Sequence, residues 1–249
     1  MKNRSGQANK ATIYSIVGFI VVATAAVIIA AIYSNGSSTT TNTNFVATTA
    51  PAINSADWTE GNPNAKVSVI EYGDFECPAC GAYFPVMQQL YAQYSSTVLF
   101  VFRNYPLYTI HPDAGIGAQA AEAAGLEGGS VKYWAMHDLL YSKQTEWSTT
   151  DPTQVVSKYF DGYAASIGLD VNKFNADISS SAVATKIQND VAGGNTASID
   201  HTPTFFINLR QIPNPNSYTD FQTAIENAIA SSTGSVGVSG LIVTTSSSK

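Results

Sequence analysis

Charge is scarce in this chain of 249 residues: Asp, Glu, Lys and Arg together make up 12% of it, and the formal net charge is −6. An acidic chain with no long basic block lacks the electrostatic footprint of a nucleic-acid binder. Nucleotide and flavin fingerprints are missing, so no organic cofactor is implied. Internal repeats are missing too. Cysteine and histidine are rarer still, with two and three copies, respectively. A structural zinc site usually needs four ligands, and one Cys pair with His111, His137 and His201 matches no finger spacing. No metal site is therefore expected. A purely structural disulfide is equally poorly motivated, because closing so short a loop removes little unfolded-state entropy.

What is present begins at the N-terminus. Lys2, Arg4 and Lys10 precede an uncharged run from Ile13 to Tyr33. A run of about 20 residues spans a bilayer once, and the cations on its N-terminal side place the rest of the chain outside the cytoplasm. A cleaved signal peptide is the alternative, but its apolar core is shorter, about 7–15 residues. Either way the remaining chain is exported to where disulfides persist. The expected layout is a basic cytoplasmic segment over 1–12, an anchor over 13–33 and a Ser/Thr/Asn-rich flexible linker over 34–56. A globular domain follows over 57–230, and a disordered tail over 231–249.

Within the domain, Lys66–Tyr72 alternates like a strand, the stretch after the cysteines has helical spacing, and Thr97–Phe102 is again strand-like. Strand, cysteine motif, helix, strand reads as a βαβ unit with a parallel pair. Pro85 is expected to kink the helix. From about 112 to 194 the pattern is helical, with Asp151-Pro152 as one helix start. Thr204–Ile207, a polar turn and a final helix close the domain. The fold class is thus α/β with a helical insertion.

Both cysteines lie in one motif, Cys77-Pro78-Ala79-Cys80. Cys77 sits where the helix starts, and there free N–H groups and the helix dipole favour an anion. Its thiolate would be exposed to attack substrate disulfides or be attacked as a disulfide. Cys80, one turn on and more buried, would resolve the mixed disulfide. The pair by itself leaves the direction of electron flow open.

The stretch GNPNAKVSVIEYGDFECPAC, followed by FRNYPL, HPDA, KYWAMHDLLY and HTPTFFIN, resembles the DsbA-like thioredoxin-fold oxidoreductases, in particular membrane-anchored or secreted bacterial ones. The resemblance covers roughly Asp57 to Ala230. It implies a thioredoxin fold with an inserted helical domain. It also gives Thr202-Pro203 a meaning: a cis-proline loop facing the cysteines, against which an extended substrate pairs like an added strand. It places Glu71 beneath the pair as a proton shuttle for Cys80; the alternative is a strand residue facing solvent. Asp74 and Glu76 are expected to be solvated loop charges, and Arg103, His111 and His137 to be structural.

Three departures stand out. Ala79 replaces the histidine of strongly oxidising members. His201 replaces a small residue, and is either a thiolate-stabilising neighbour of Cys77 or a surface histidine. Leu209 replaces a turn glycine. The expected function is donation of the Cys77–Cys80 disulfide to reduced or unfolded exported proteins, with re-oxidation by a membrane partner such as a quinone-linked oxidase. A reductase or isomerase, a copper-handling chaperone and a non-catalytic binding domain are the rivals.

Overall fold

The computed structural model describes residues 48–233. The segment expected to be a membrane anchor and most of the expected tail lie outside the described residues. Among the described residues no helix is long and apolar enough to cross a membrane.

A five-stranded sheet forms the centre, with strand order β1-β3-β2-β4-β5. Its strands are β1 (Trp58–Gly61), β2 (Val67–Gly73), β3 (Val98–Asn104), β4 (Thr204–Ile207) and β5 (Arg210–Ile212). β2 and β3 run parallel, as the βαβ reading requires, and are joined by helix α1 (Pro78–Tyr94). The remaining pairings are antiparallel. The continuous apolar character of β3 follows from its central place, with Val98, Phe100, Val101 and Phe102 all buried. α1 runs unbroken through Pro85, so the expected kink does not interrupt the helix.

The helical block begins with α2 (Ala114–Ser142), which is two helices joined across Gly128 and Gly129. Gly129 has φ +69°, a conformation that L side chains rarely adopt, and the glycines that end the alanine-rich sequence pattern mark this joint. Then come α3 (Gln144–Trp147), α4 (Pro152–Val155), a π-helical turn (Val156–Phe160), α5 (Asp161–Ser166), α6 (Val171–Ile178) and α7 (Ser181–Thr196). Asp151 caps α4 by accepting from the Thr153 amide, which bears out Asp151-Pro152 as a start signal. The chain returns to the sheet through β4 and β5 and ends in α8 (Tyr218–Thr233). This arrangement, a mixed sheet flanked by helices and interrupted by a helical block, is the expected thioredoxin fold with insertion.

Two elements differ from the sequence reading. β1 was not expected; its four residues are too few to show a period, and it exists because Trp58–Gly61 pairs with Leu99–Phe102. The tether expected over 34–56 is, in its described part, attached to the domain. Thr49 bridges Arg210, the Ala50 amide donates to the Leu209 carbonyl, and the Pro51 and Ala52 carbonyls accept from Arg103. Polar composition hid these backbone-mediated contacts. At the β4–β5 turn Asn208 and Leu209 both have positive φ, +49° and +68°, so the turn keeps the left-handed geometry although a leucine stands in the glycine position.

Candidate active site

β2 ends in the loop Asp74–Glu76, which delivers Cys77 to the N-terminal cap of α1, with Pro78 at the first helical position. Proline suits that position because its missing N–H has no helical partner there anyway. Cys77 and Cys80 are both free thiols here. Pro78 and Ala79 are exposed, whereas Cys77 is 6% exposed and Cys80 is 0%. The Cys77 sulfur is thus more covered than the sequence reading expected, because the Thr202 backbone packs against it. The Thr202–Pro203 peptide bond is cis, and the Cys77 sulfur lies 3.5 Å from the Thr202 carbonyl oxygen, to which it donates only while protonated.

The environment separates the two thiols. A hydrogen bond from the Cys80 thiol is the main influence that brings Cys77 down from an ordinary 9.0 to about 5. Burial opposes this, while Thr202 and the Ala79 and Cys80 amides assist it. The Thr202 hydroxyl is buried without another partner, which leaves it free to donate to a thiolate. Cys80 is pushed well above 9.0, first by burial, then by its bond to Cys77 and by the nearby Glu71. The arrangement is a thiolate and a neutral thiol at the two ends of one helical turn.

Glu71 lies beneath this pair on β2, opposite Phe102 on β3 and Phe205 on β4. Its side chain is 6% exposed and makes no hydrogen bond to another described residue. Burial raises its carboxyl from 4.5 to about 8, with the Cys77 charge adding to the effect. The acid is therefore largely protonated at neutral pH, and the solvent-facing alternative for Glu71 is excluded.

One expectation needs correction, and one open alternative is decided. Asp74 and Glu76 are buried, not solvated loop charges. Asp74 is the knot of the active-site loop: it accepts from the Glu76 and Leu107 amides and pairs with His111 Nδ1 at 2.7 Å. Glu76 accepts from the Asp113 amide, and its carboxyl is raised, chiefly by burial. Backbone donors from a distant loop make these buried carboxylates tolerable, and such donors leave no trace in a local sequence window. His201, in turn, is exposed and pairs with Asp200 at 2.6 Å, a contact that ties it to a surface carboxylate and not to Cys77.

Other residues were not singled out by sequence. Gln144 Nε2 donates to the Phe75 and Cys77 carbonyls at 2.8 and 2.9 Å, bracing the loop from the helical insertion. A Cβ on Gly81 would come within 2.4 Å of that glutamine side chain, so Gly81 permits the brace. Tyr141, from KYWAMHDLLY, is buried against Cys80 and Phe75, with its hydroxyl 3.4 Å from the Asp74 carbonyl. Arg103 and His137 are structural in their surroundings, as expected: Arg103 pairs with Asp57, and His137 packs among aromatic rings. Among the described residues no group of three or more potential ligands is placed to hold a metal.

Comparison with known proteins agrees with this geometry. The family model described as thioredoxin matches residues 54–227. The Na(+)/H(+) antiporter NhaA 1 of Salinispora arenicola is 36% identical over 180 residues, covering 72% of this chain and 26% of the antiporter. The chain thus spans about a quarter of the length of the curated relatives it matches. Among solved structures, BdbD from Bacillus subtilis is similar with a TM-score of 0.63 and 23% identity, over 75% of this chain and 99% of that one. Wolbachia pipientis alpha-DsbA1 follows with a TM-score of 0.62 and 20% identity, over 74% and 94%. With the family match across most of its length and a cysteine pair at the head of α1, the chain belongs to the thioredoxin family.

Proposed function

We propose that this protein is an oxidant, donating its Cys77–Cys80 disulfide to reduced or unfolded proteins outside the cytoplasm. The observation that carries the reading is the unequal pair: Cys77 lowered to about 5 beside Cys80 held neutral. Stabilising the reduced form makes the disulfide more oxidising.

In the proposed cycle a substrate thiolate attacks Cys77 Sγ. The Cys77–Cys80 bond breaks, and a substrate–Cys77 disulfide forms. Cys80 leaves with the electron pair and takes a proton from the Glu71 carboxylic acid. A second substrate thiolate then attacks the substrate sulfur of the mixed disulfide and expels Cys77 as its stabilised thiolate. The substrate has lost two electrons and two protons. One proton resides on Cys80, the other is in solvent, and Glu71 regains its proton from water. The Thr202–Pro203 loop beside Cys77 is the proposed place for an extended substrate to pair.

The N-terminal run Ile13–Tyr33 supports a single-pass anchor with the domain outside the cytoplasm, and a quinone-linked membrane oxidase is the proposed source of re-oxidation. Labelling of the reduced protein in intact cells by a membrane-impermeant thiol reagent tests the location; labelling only after lysis contradicts it. Cation antiport, the activity named for the relatives, is not part of the proposal, since the chain spans so little of their length.

Direction is tested by equilibrating the protein in graded glutathione buffers while following its oxidation of a reduced, unfolded substrate. The oxidant reading expects a potential well above that of thioredoxin. A value near −270 mV, with efficient reduction of substrate disulfides, supports the reductase alternative instead.

A further inference from the structure

A cavity of about 250 Å³ opens between α1, the second half of α2 and the β1–β3 side of the sheet. Glu71 forms part of its wall. So does Glu60, from the strand that sequence analysis did not anticipate. The registers Glu60 opposite Phe100 and Glu71 opposite Phe102 put both carboxyls on one face of the sheet. α2 adds Asp138 and His137, while α1 adds Phe84, Met87, Gln88 and Tyr91, none of them charged. The cavity therefore faces three carboxyls and one imidazole, with no lysine or arginine in its lining.

Several polar groups in this wall lack partners. Glu71 has no hydrogen bond to a described residue, although it is 6% exposed. His137 Nδ1 pairs with Asp138 Oδ1 at 3.0 Å, which assigns the proton to Nδ1 and leaves Nε2 as an acceptor. His137 Nε2 and Trp134 Nε1 are buried with no partner, each too covered to be reached from the cavity space, so the rings and not these nitrogens form its wall. An unpaired carboxyl as buried as Glu71, lining an open cavity beside the Glu60 carboxyl, points to an occupant. Carboxyls that can ionise, no compensating cation, and aromatic walls from Trp134, Tyr91 and Phe84 together define its chemistry.

We propose that this cavity binds a small organic cation carrying N–H donors on an apolar stem, an alkylguanidinium or alkylammonium group. The N–H groups would meet Glu71 and Glu60, the stem would lie against the aromatic rings, and the charge would compensate the carboxylates. Such a group is found on free amines and on arginine or lysine side chains. Burial raises Glu60 and Glu71 alike to about 8, in Glu60 with Asp138 adding to the effect, so a cation must displace protons there and binds more tightly as pH rises.

The test uses the full chain in its disulfide form, which removes thiol titration and makes the result independent of catalytic direction. Ethylguanidinium is titrated while the Trp134 indole N–H resonance, assigned with Trp134→Phe, is followed by NMR. Saturable binding in the millimolar range is expected, tightening at least about tenfold between roughly pH 6 and pH 8. Tetramethylammonium, which has charge but no N–H, should bind at least about tenfold more weakly. Glu60→Gln should weaken ethylguanidinium at least about tenfold and leave thiol–disulfide exchange intact. N-acetylarginine N-methylamide distinguishes the sources: binding of both probes assigns the site to side chains, and binding of ethylguanidinium alone assigns it to free cations. An unmoved Trp134 resonance, a pH-independent affinity, or equal affinity in Glu60→Gln would overturn the proposal.

Discussion

Two of the places where the molecule buries ionisable groups treat them in opposite ways. At the seam beneath the N-terminal segment, all five Arg103 N–H donors are used: two on the Asp57 carboxylate, one on Tyr72 and two on the Pro51 and Ala52 carbonyls. Burial works against the Asp57 carboxylate, yet Arg103 and the Asn54 amide hold it below 3.8. Under the cysteines, Glu71 has burial without any such partner and rises to about 8. A fully paired buried charge keeps one protonation state and holds structure together. An unpaired buried acid can change state near neutrality, which is what proton transfer to a leaving thiolate requires.

The sharpest break in this comparison comes from the cysteines. Cys80→Ala should abolish turnover and accumulate mixed disulfides through Cys77, seen as reducible adducts on gels. Accumulation in Cys77→Ala instead would reverse the roles. Next, removing a partner from the paired seam should cost stability and spare chemistry. Asp57→Ala leaves Arg103 buried and uncompensated, an expected loss of about 3–5 kcal/mol in denaturant unfolding, with the Cys77 thiolate midpoint unchanged.

Glu71→Gln should do the reverse, slowing disulfide transfer on the order of 10²-fold. In the wild type the Glu71-dependent rate should fall as pH rises through about 8, where the acid loses its proton. The variant should lose that inflection. A Glu71→Gln protein with unchanged rate and pH profile would remove the proton-donor role.

A subtler effect is the pH dependence of stability. Cys77 is lowered on folding, so its contribution to the reduced protein is full above about 9 and disappears as pH falls through about 5. Glu71 is raised on folding, so its contribution is full below 4.5 and is lost as pH rises through about 8. The two oppose each other in the reduced protein, and only the Glu71 effect remains once the disulfide has formed. The melting-temperature advantage of the reduced over the oxidised form should therefore widen from pH 5 to pH 8. The smallest effect belongs to His201. His201→Ala should move the Cys77 midpoint by less than about 0.3 pH units, because the ring is exposed and paired with Asp200.

The sequence made the parts with local periodicity and punctuation legible. β2, α1 and β3 follow from alternation and helical spacing around the cysteines, and Asp151-Pro152 announced a helix start. Resemblance supplied Pro203 and Glu71. What escaped was made by contacts between segments far apart in the chain. β1 takes its identity from pairing with β3, Gln144 reaches back from the insertion to the Cys77 carbonyl, and Asp74 is buried because Leu107 and His111 come to it. A window around Asp74 and Glu76 sees only acidic loop residues, and so predicts solvation where the fold supplies donors. At His201 the motif left two alternatives open, and the neighbouring Asp200 carboxylate, which holds the exposed ring, favours the surface histidine.

The central claim is that the reduced site holds Cys77 as a thiolate beside a neutral Cys80. Thiolate absorbance near 240 nm, followed across a pH titration of the reduced protein with the disulfide form as blank, measures this directly. The account predicts one thiolate appearing with a midpoint of about 5 and no second thiol ionising below about 9. A first midpoint between about 8 and 9, the range of an ordinary cysteine, would contradict it.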